Sequence, residues 1–280
     1  MASSAGDTGT ADLLAICAPG FPSVMMMGPA GKALATGPES VTGNPAMIVS
    51  GFTASGGMWN LQTTGVSVAG GLKAGSDMSI SGGVTYLGRG SILRRDETGS
   101  VTGEYSFGAG TALAGASFLL TSWLRGGVSA GISWENIGEQ GGTGLTCSVG
   151  LAADLPEGMK AGICASGIGQ APSWNGIRKD MPTEVSAGLS FPFGSVLTGF
   201  AGGKIGFSTS DEFGGGMRIE YSDLVLSTGY RYVPDEHEIS GFFAGLQYNY
   251  TSEGTYTMEV AVSQRDELSW PVFAGISISL

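Results

Sequence analysis

Catalysis needs nucleophiles, bases or metal ligands gathered in one place, and this chain of 280 residues offers one histidine and three cysteines. His237 stands in PDEHE beside Asp235, Glu236 and Glu238. A base or metal ligand there needs a second histidine or a suitably placed cysteine, and neither supports it, so the stretch reads as a solvated loop. Its carboxylates and the Asp96-Glu97 pair offer oxygens to Ca²⁺, but without the spacing of a calcium loop. The text GPAGK at 28–32 has the look of a phosphate loop. Its glycine spacing is wrong, however, and Ala33 stands where a Ser or Thr is required. Cys147 and Cys164 flank the turn at 155–158 at opposite strand parity, which sends their side chains to opposite faces and forbids a disulfide. Cys17 follows Leu14-Ala15-Ile16 as in a lipoprotein cleavage site, but Ile before Cys and the missing basic start argue against one. No catalytic residue, metal or cofactor is expected, and the chain is read as a non-enzyme.

What remains are charges and aromatics whose meaning depends on the elements that carry them. Charged residues are 13% of the chain, where a soluble domain carries roughly 25%, and glycines number 50, where usual composition gives about 20. The net charge of −11 excludes nucleic acid as a partner, since binding it requires clustered Lys and Arg. No window supplies the ~18 uninterrupted apolar residues of a spanning helix; the best, 13–27, holds Pro19, Gly20 and Pro22. The start, MASSAGDTGTADLL, has no basic region and carries Asp7 and Asp12, so an intact secretory signal is not expected.

From Met47 onward the sequence breaks into fourteen stretches of period-two character divided by Gly, Asp, Asn, Pro and Ser clusters. Tyr256, Met258, Val260 and Val262 alternate with Thr257, Glu259, Ala261 and Ser263. Phe242, Leu246 and Tyr248 alternate with Phe243, Gly245 and Gln247. The final stretch, PVFAGISISL, does the same, and pairing with the first strand would satisfy both of its edges. One face is lipid-like, the other small or polar. A soluble sandwich would bury the apolar face, but these strands are long, about 9 to 11 residues suiting a tilted membrane crossing, and Gly, Ser and Thr make a poor core. The expected fold is therefore all-β: a transmembrane antiparallel up-and-down barrel of about fourteen strands. Strands are placed at 77–89, 122–135 and 143–154 among others, with longer loops at GSILRRDETGS, NIGEQGG, QAPSWNGIRKDMP and PDEHE. Trp270, Trp123 and Trp134 fall near strand ends, as in interfacial belts.

Parity then gives the charges a place. Arg125, Lys160, Arg218, Glu220, Arg231 and Glu259 are predicted to face the lumen and to cross-link wall and contents. Phe200, Phe243 and Phe273 fall on the same inner face, as packing against a plug or as lining for an apolar ligand. Fourteen strands enclose more space than their own side chains fill, so residues 1–46 are assigned as an N-terminal extension and lumenal plug, and 47–280 as the barrel.

The segment MGPAGKALATGPESVTGNPAMI at 27–48 resembles the opening of the PorV/PorQ group and the wider FadL-like outer-membrane barrels. Asn44-Pro45-Ala46 matches their hallmark triplet, and Met47 stands where Gly is usual. Weaker echoes follow at Gly103-Glu104-Tyr105, Asn136-Ile137-Gly138, Leu155-Pro156 and Ile219-Glu220-Tyr221. An aquaporin origin for the triplet would need a second copy and six apolar helices. The resemblance implies a bacterial outer-membrane barrel with the triplet anchoring its plug. Its leading functional implication is a non-enzymatic accessory or anchoring component of envelope protein export or surface assembly. The alternative is a FadL-like passive channel for hydrophobic small molecules with lateral exit. The partners implied are outer-membrane lipid, other envelope or secreted proteins, and a hydrophobic ligand.

Overall fold

A computed structural model describes residues 16, 20–60, 63–174, 177–178, 180–234, 239–252, 254–265 and 270–279. The strands are β1 (Gly51–Asn60), β2 (Thr63–Lys73), β3 (Met78–Arg95), β4 (Val101–Leu119), β5 (Leu124–Ile137), β6 (Gln140–Asp154), β7 (Lys160–Gln170) and the two-residue pair β8 (Ser173–Trp174) and β9 (Ile177–Arg178). They continue as β10 (Glu184–Phe193), β11 (Leu197–Gly206), β12 (Glu212–Tyr221), β13 (Leu224–Tyr232), β14 (Gly241–Thr251), β15 (Thr255–Ser263) and β16 (Val272–Ser279). Fourteen of them close an antiparallel barrel, each paired to its successor, with β7 paired to β10 while β8 and β9 form a separate hairpin. The seam runs from Phe52↔Ile278 to Met58↔Val272, so the strand PVFAGISISL has partners on both sides.

Alternation decides which way each side chain points. On β15, Met258 is 57% exposed and Glu259 7%; on β13, Leu226 is 50% exposed and Ser227 0%. Phe52, Val66, Val84, Val128, Ile132, Met217, Ile219, Phe242 and Leu246 continue the outward apolar surface around the wall. Water would charge each such side chain about 1.5–3 kcal/mol relative to burial, whereas hydrocarbon accepts it. No described helix is long and apolar enough to cross a membrane; the strands do so. Trp123 lies in the β4–β5 turn and Trp270 just before β16, at opposite ends of the wall, both about half exposed.

Strand ends differ from the sequence reading at three places. Residues read as the loop GSILRRDETGS are largely strand: β3 runs to Arg95 and pairs with β4 past the neighbouring strands, with register shifts at Arg89/Ile92 and Arg94/Arg95. The stretch NIGEQGG is likewise strand except for Gly138-Glu139, the Gly at φ +60. QAPSWNGIRKDMP contains the β8–β9 hairpin. The physical reason is common to all three. Backbone ladder bonds continue into water, but apolar alternation, which lipid alone demands, stops at the membrane edge. PDEHE lies at 234–238, and its last four residues, His237 with them, are outside the described residues.

Inside the wall, residues 20–48 form short turns: α1 (Pro22–Met25), a 3₁₀ turn Gly28–Ala30, α2 (Gly31–Leu34), and 3₁₀ turns Pro38–Thr42 and Pro45–Met47. Four of the five carry proline at their first or second position, where its missing N–H costs nothing and its φ is preset. Pieces of three to five residues do not hold as helices alone. The barrel supplies the rest: this segment touches all fourteen strands, and Phe21, Met25, Ala30, Ala33, Val41, Ala46 and Ile48 are buried.

Candidate functional site

The internal segment fits because the wall carries glycine at several of its closest approaches and serine at others, where Ser81 and Ser117 donate to the Pro38 and Ile48 carbonyls at 2.7 and 3.0 Å. A methyl group at Gly127 would overlap Pro45, at Gly150 the side chain of Asn44, at Gly162 the Ala33 carbonyl, at Gly188 Leu34, and at Gly202 Ala30. Asn44, fully buried, ties the two together: Nδ2 donates to the Ala33 and Leu151 carbonyls at 3.0 Å each, and Oδ1 accepts from the Ala46 N–H at 3.1 Å. Both of its donors and one of its two acceptor positions are thereby used inside the segment and on β6. Pro45 and Ala46 follow in a turn capped by that same oxygen.

Toward the end that carries the longer connections, a chain of buried charges runs from this segment across the wall. Lys32 pairs with Glu184 on β10. Lys204 on β11 lies 3.7 Å from Glu184 and 3.1 Å from Glu212, and Glu212 also meets Arg231 at 3.4 Å and Arg265 at 2.9 Å. Glu184 and Glu212 are 3% and 4% exposed at their side chains, a burial that carboxylates tolerate only with cations at hand. Beside the charges is an apolar cluster of Met25, Met26, Leu87, Ala109, Ala261 and Phe273, with Met27, Trp59 and Phe107 packed against it. The Arg265 guanidinium stacks 5.5 Å from the Trp59 ring centre and joins the two patches.

Toward the short-turn end lies a cavity of about 710 Å³, lined mainly by hydroxyls, amides and charges, among them Ser23, Glu39, Lys160, Arg218, Glu220, Gln247, Asn249, Thr257 and Glu259. A smaller one of about 210 Å³ holds Arg125, Asp154 and Lys160 beside Met47 and Val49. Glu39 hangs from the internal segment. Burial pushes its carboxyl above the usual carboxylate range, and hydrogen bonds from its own backbone and from Ser23 pull part of the way back.

These positions fix where each residue singled out in the sequence stands. Arg218 (Nε 2.9 Å from Glu220) and Glu220 line the larger cavity with Lys160 and Glu259; Arg125 lines the smaller; Arg231 is buried in the charge chain at the opposite end. The six therefore lie at both ends of the lumen, five in the two cavities on one side of the segment and Arg231 on the other. Phe200 and Phe243 pack ring to ring at 6.1 Å with Met27 and Ala30, while Phe273 belongs to the other apolar cluster. All three are at most 2% exposed, and of them Phe200 borders the larger cavity. Cys147 faces outward with its thiol 3.2 Å from the Ile168 carbonyl; Cys164 is buried, and both are free. Lys32, Glu39, Glu184, Lys204, Glu212 and Arg265 were not singled out. Inward parity would have found Glu184, Lys204 and Glu212, which share faces with Ser186, Gly202 and Gly214. Lys32 and Glu39 lie in text with no period.

One ladder is irregular beside the segment. Between β6 and β7 the register shifts at Cys147/Val149, with Gly167 at φ +67, a conformation that favours glycine. The Thr183 hydroxyl closes onto the Gly167 carbonyl at 2.8 Å, and β10 pairs with β7 only up to Ser166.

A closed fourteen-stranded antiparallel barrel with an apolar exterior and a polar interior defines a transmembrane β-barrel. The same architecture is seen in the toluene transporter TodX of Pseudomonas putida (TM-score 0.68, 12% identity, 92% of this chain and 98% of that one). It is seen also in the monoaromatic hydrocarbon channel CymD (0.67, 13%, 92% and 96%) and in a FadL homologue of Pseudomonas aeruginosa (0.62, 9%, 92% and 96%). No family profile and no curated protein sequence matches the chain.

Proposed function

We propose that this chain is a channel of the bacterial outer membrane, not an enzyme, that passes hydrophobic small molecules, with residues 1–46 as its plug and Asn44-Pro45-Ala46 as the plug's anchor. The observation that carries the reading is the plugged-barrel architecture, shared over 92% of the chain with proteins described as hydrocarbon channels. The long-loop mouth supports it. Trp59 and Phe107 lead to Leu87, Phe273 and three successive methionines, Met25 to Met27, whose unbranched thioethers adapt to varied apolar shapes. The irregular β6–β7 ladder, adjoining the plug where Lys32 and Ser166 border a small cleft, is the proposed lateral way out into lipid. The short-turn end then faces the periplasm. In this conformation the plug is seated, so passage requires Met25–Met27 and the Lys32–Glu184 pair to move.

The assembly role implied by the resemblance to PorV and PorQ draws no support from these likenesses. Uptake decides. Cells with an otherwise tight outer membrane should take up radiolabelled toluene at micromolar concentration faster when they carry the protein, and Trp59→Ala with Phe107→Ala should remove most of the gain. Equal uptake with and without the protein, alongside protein partners recovered in stoichiometric amount, would overturn the channel reading.

A further inference from the structure

The cavity under the plug is chemically unlike the hydrophobic mouth. At its roof Ser23, in the first turn of α1, donates its hydroxyl to Glu39 Oε1 at 2.8 Å, and Glu259 on β15 lines the same cavity. Both acids are nine-tenths buried or more, at 4% and 7% exposure. The second oxygen of Glu39, Oε2, is buried without a hydrogen-bond partner, and Glu39 and Glu259 both line the cavity. Among the described residues neither acid is in a salt bridge; the nearby Arg218 has its Nε 2.9 Å from Glu220 instead.

Two carboxyls brought together out of water can both ionise only with a counter-charge beside them, which a cation in the cavity would supply. A calcium ion would want six to eight oxygens, and among the described residues no group of three or more acidic, His or Cys side chains is placed to hold a metal. An ammonium group needs only three acceptors, which two carboxylates and a neighbouring hydroxyl supply. The Asn249 amide oxygen already accepts from Gln247 and Thr257 at 2.8 and 2.9 Å, and the Thr257 hydroxyl, donating there, keeps its own oxygen to accept. A space of about 710 Å³ is in the range that holds an organic molecule, and its hydroxyl- and amide-bearing wall suits a polar body. We propose that this cavity is a binding site for a small organic cation, its ammonium seated between Glu39 of the plug and Glu259 of the wall. Because the two acids belong to different parts of the molecule, the ligand clasps plug to barrel from below, whatever passes above.

Isothermal titration of the full-length protein in detergent with putrescine tests this. Saturable binding at one site is expected, weakened at least tenfold in Glu39→Gln and in Glu259→Gln, each near-isosteric and checked for folding by heat-modifiable gel mobility. Butane-1,4-diol, the same length without charge, should not bind to the wild-type protein, a control that needs no variant. Putrescine should also slow proteolysis within 20–48 in the wild type but not in Glu39→Gln. Absence of saturable binding at millimolar putrescine, unchanged affinity in both variants, equal binding of the diol, or a calcium complex that putrescine does not displace would each overturn the proposal. None of these outcomes bears on toluene uptake, so the two readings fail separately.

Discussion

Asn44 shows how much a single side chain carries when every one of its polar atoms is spoken for. Its replacement by Ala removes three hydrogen bonds and leaves the Ala33 and Leu151 carbonyls short of a donor, at a cost of about 1–3 kcal/mol. The expected outcome is a folded barrel whose segment 20–48 is cut faster by added protease; unchanged protection would show that the triplet does not anchor it. Glu39 gives a pH dependence of definite sign. Burial raises its folded-state pKa above the unfolded value of about 4.3, so its contribution is full below that pH and is lost as pH rises through the raised value. The charged groups around it are Glu259, Arg218, Glu220, Asp223 and Lys160, which share the cavity. Wild-type stability relative to Glu39→Gln, from denaturant unfolding in detergent followed by tryptophan fluorescence, should fall as pH rises above the unfolded-state value. A flat difference would place Glu39 in water. Neither role was legible in the sequence in full. The triplet was visible through resemblance, but its three bonds reach a strand that only the closed fold brings near. Glu39 stood in the short-turn text GPES, with no alternation to say which way it faced.

At the scale of elements, strands were legible wherever lipid imposes a two-residue rhythm, and illegible where they run on into water. The β3–β4 ribbon is the case in point: Arg94, Arg95, Asp96 and Glu97 read as loop because they are charged, yet only the last two sit at the tip. There the Thr98 hydroxyl and the Ser100 N–H both donate to Asp96 and hold its carboxyl below the ordinary range. Glycine abundance was visible, but its purpose was not, because composition does not reveal which glycines meet another part of the chain. The structure separates them: Gly150 lies against Asn44, while Gly70 points outward with only Phe52 at 4.0 Å. Gly150→Val should therefore cost about 1–3 kcal/mol of overpacking and expose the plug to protease, whereas Gly70→Val should be tolerated. Measured by detergent unfolding and limited proteolysis, equal effects at both positions would refute the close fit of wall and plug.

For the whole molecule, the decisive property is the inversion of sides: apolar surface outward, charge and hydroxyl inward. Leu226 and Ser227 are neighbours that face opposite solvents. Leu226→Arg should destabilise the barrel in lipid by about 2–4 kcal/mol if it lies near the bilayer centre, while Leu226→Val should change little. Folding equilibria into vesicles measure the difference, and an insensitive position 226 would mean that the outer surface meets something other than hydrocarbon. This inversion was readable in full from alternation, since it needs no knowledge of which strands pair. The chain of charges from Lys32 to Arg265 was not. It joins residues of six separate segments, four of them on the adjacent strands β10 to β13, and Lys32 and Arg265 meet that row only once the internal segment is seated within the wall.

The seam between β1 and β16 has a consequence for how such a molecule comes into being. The strand just after the plug finds its second neighbour only when the last strand arrives, so circularisation waits on the most distant pairing in the sequence. A translation product halted before residue 272 would keep two raw edges and an unenclosed internal segment, and would be a ready substrate for proteases or for pairing with a second unfinished copy.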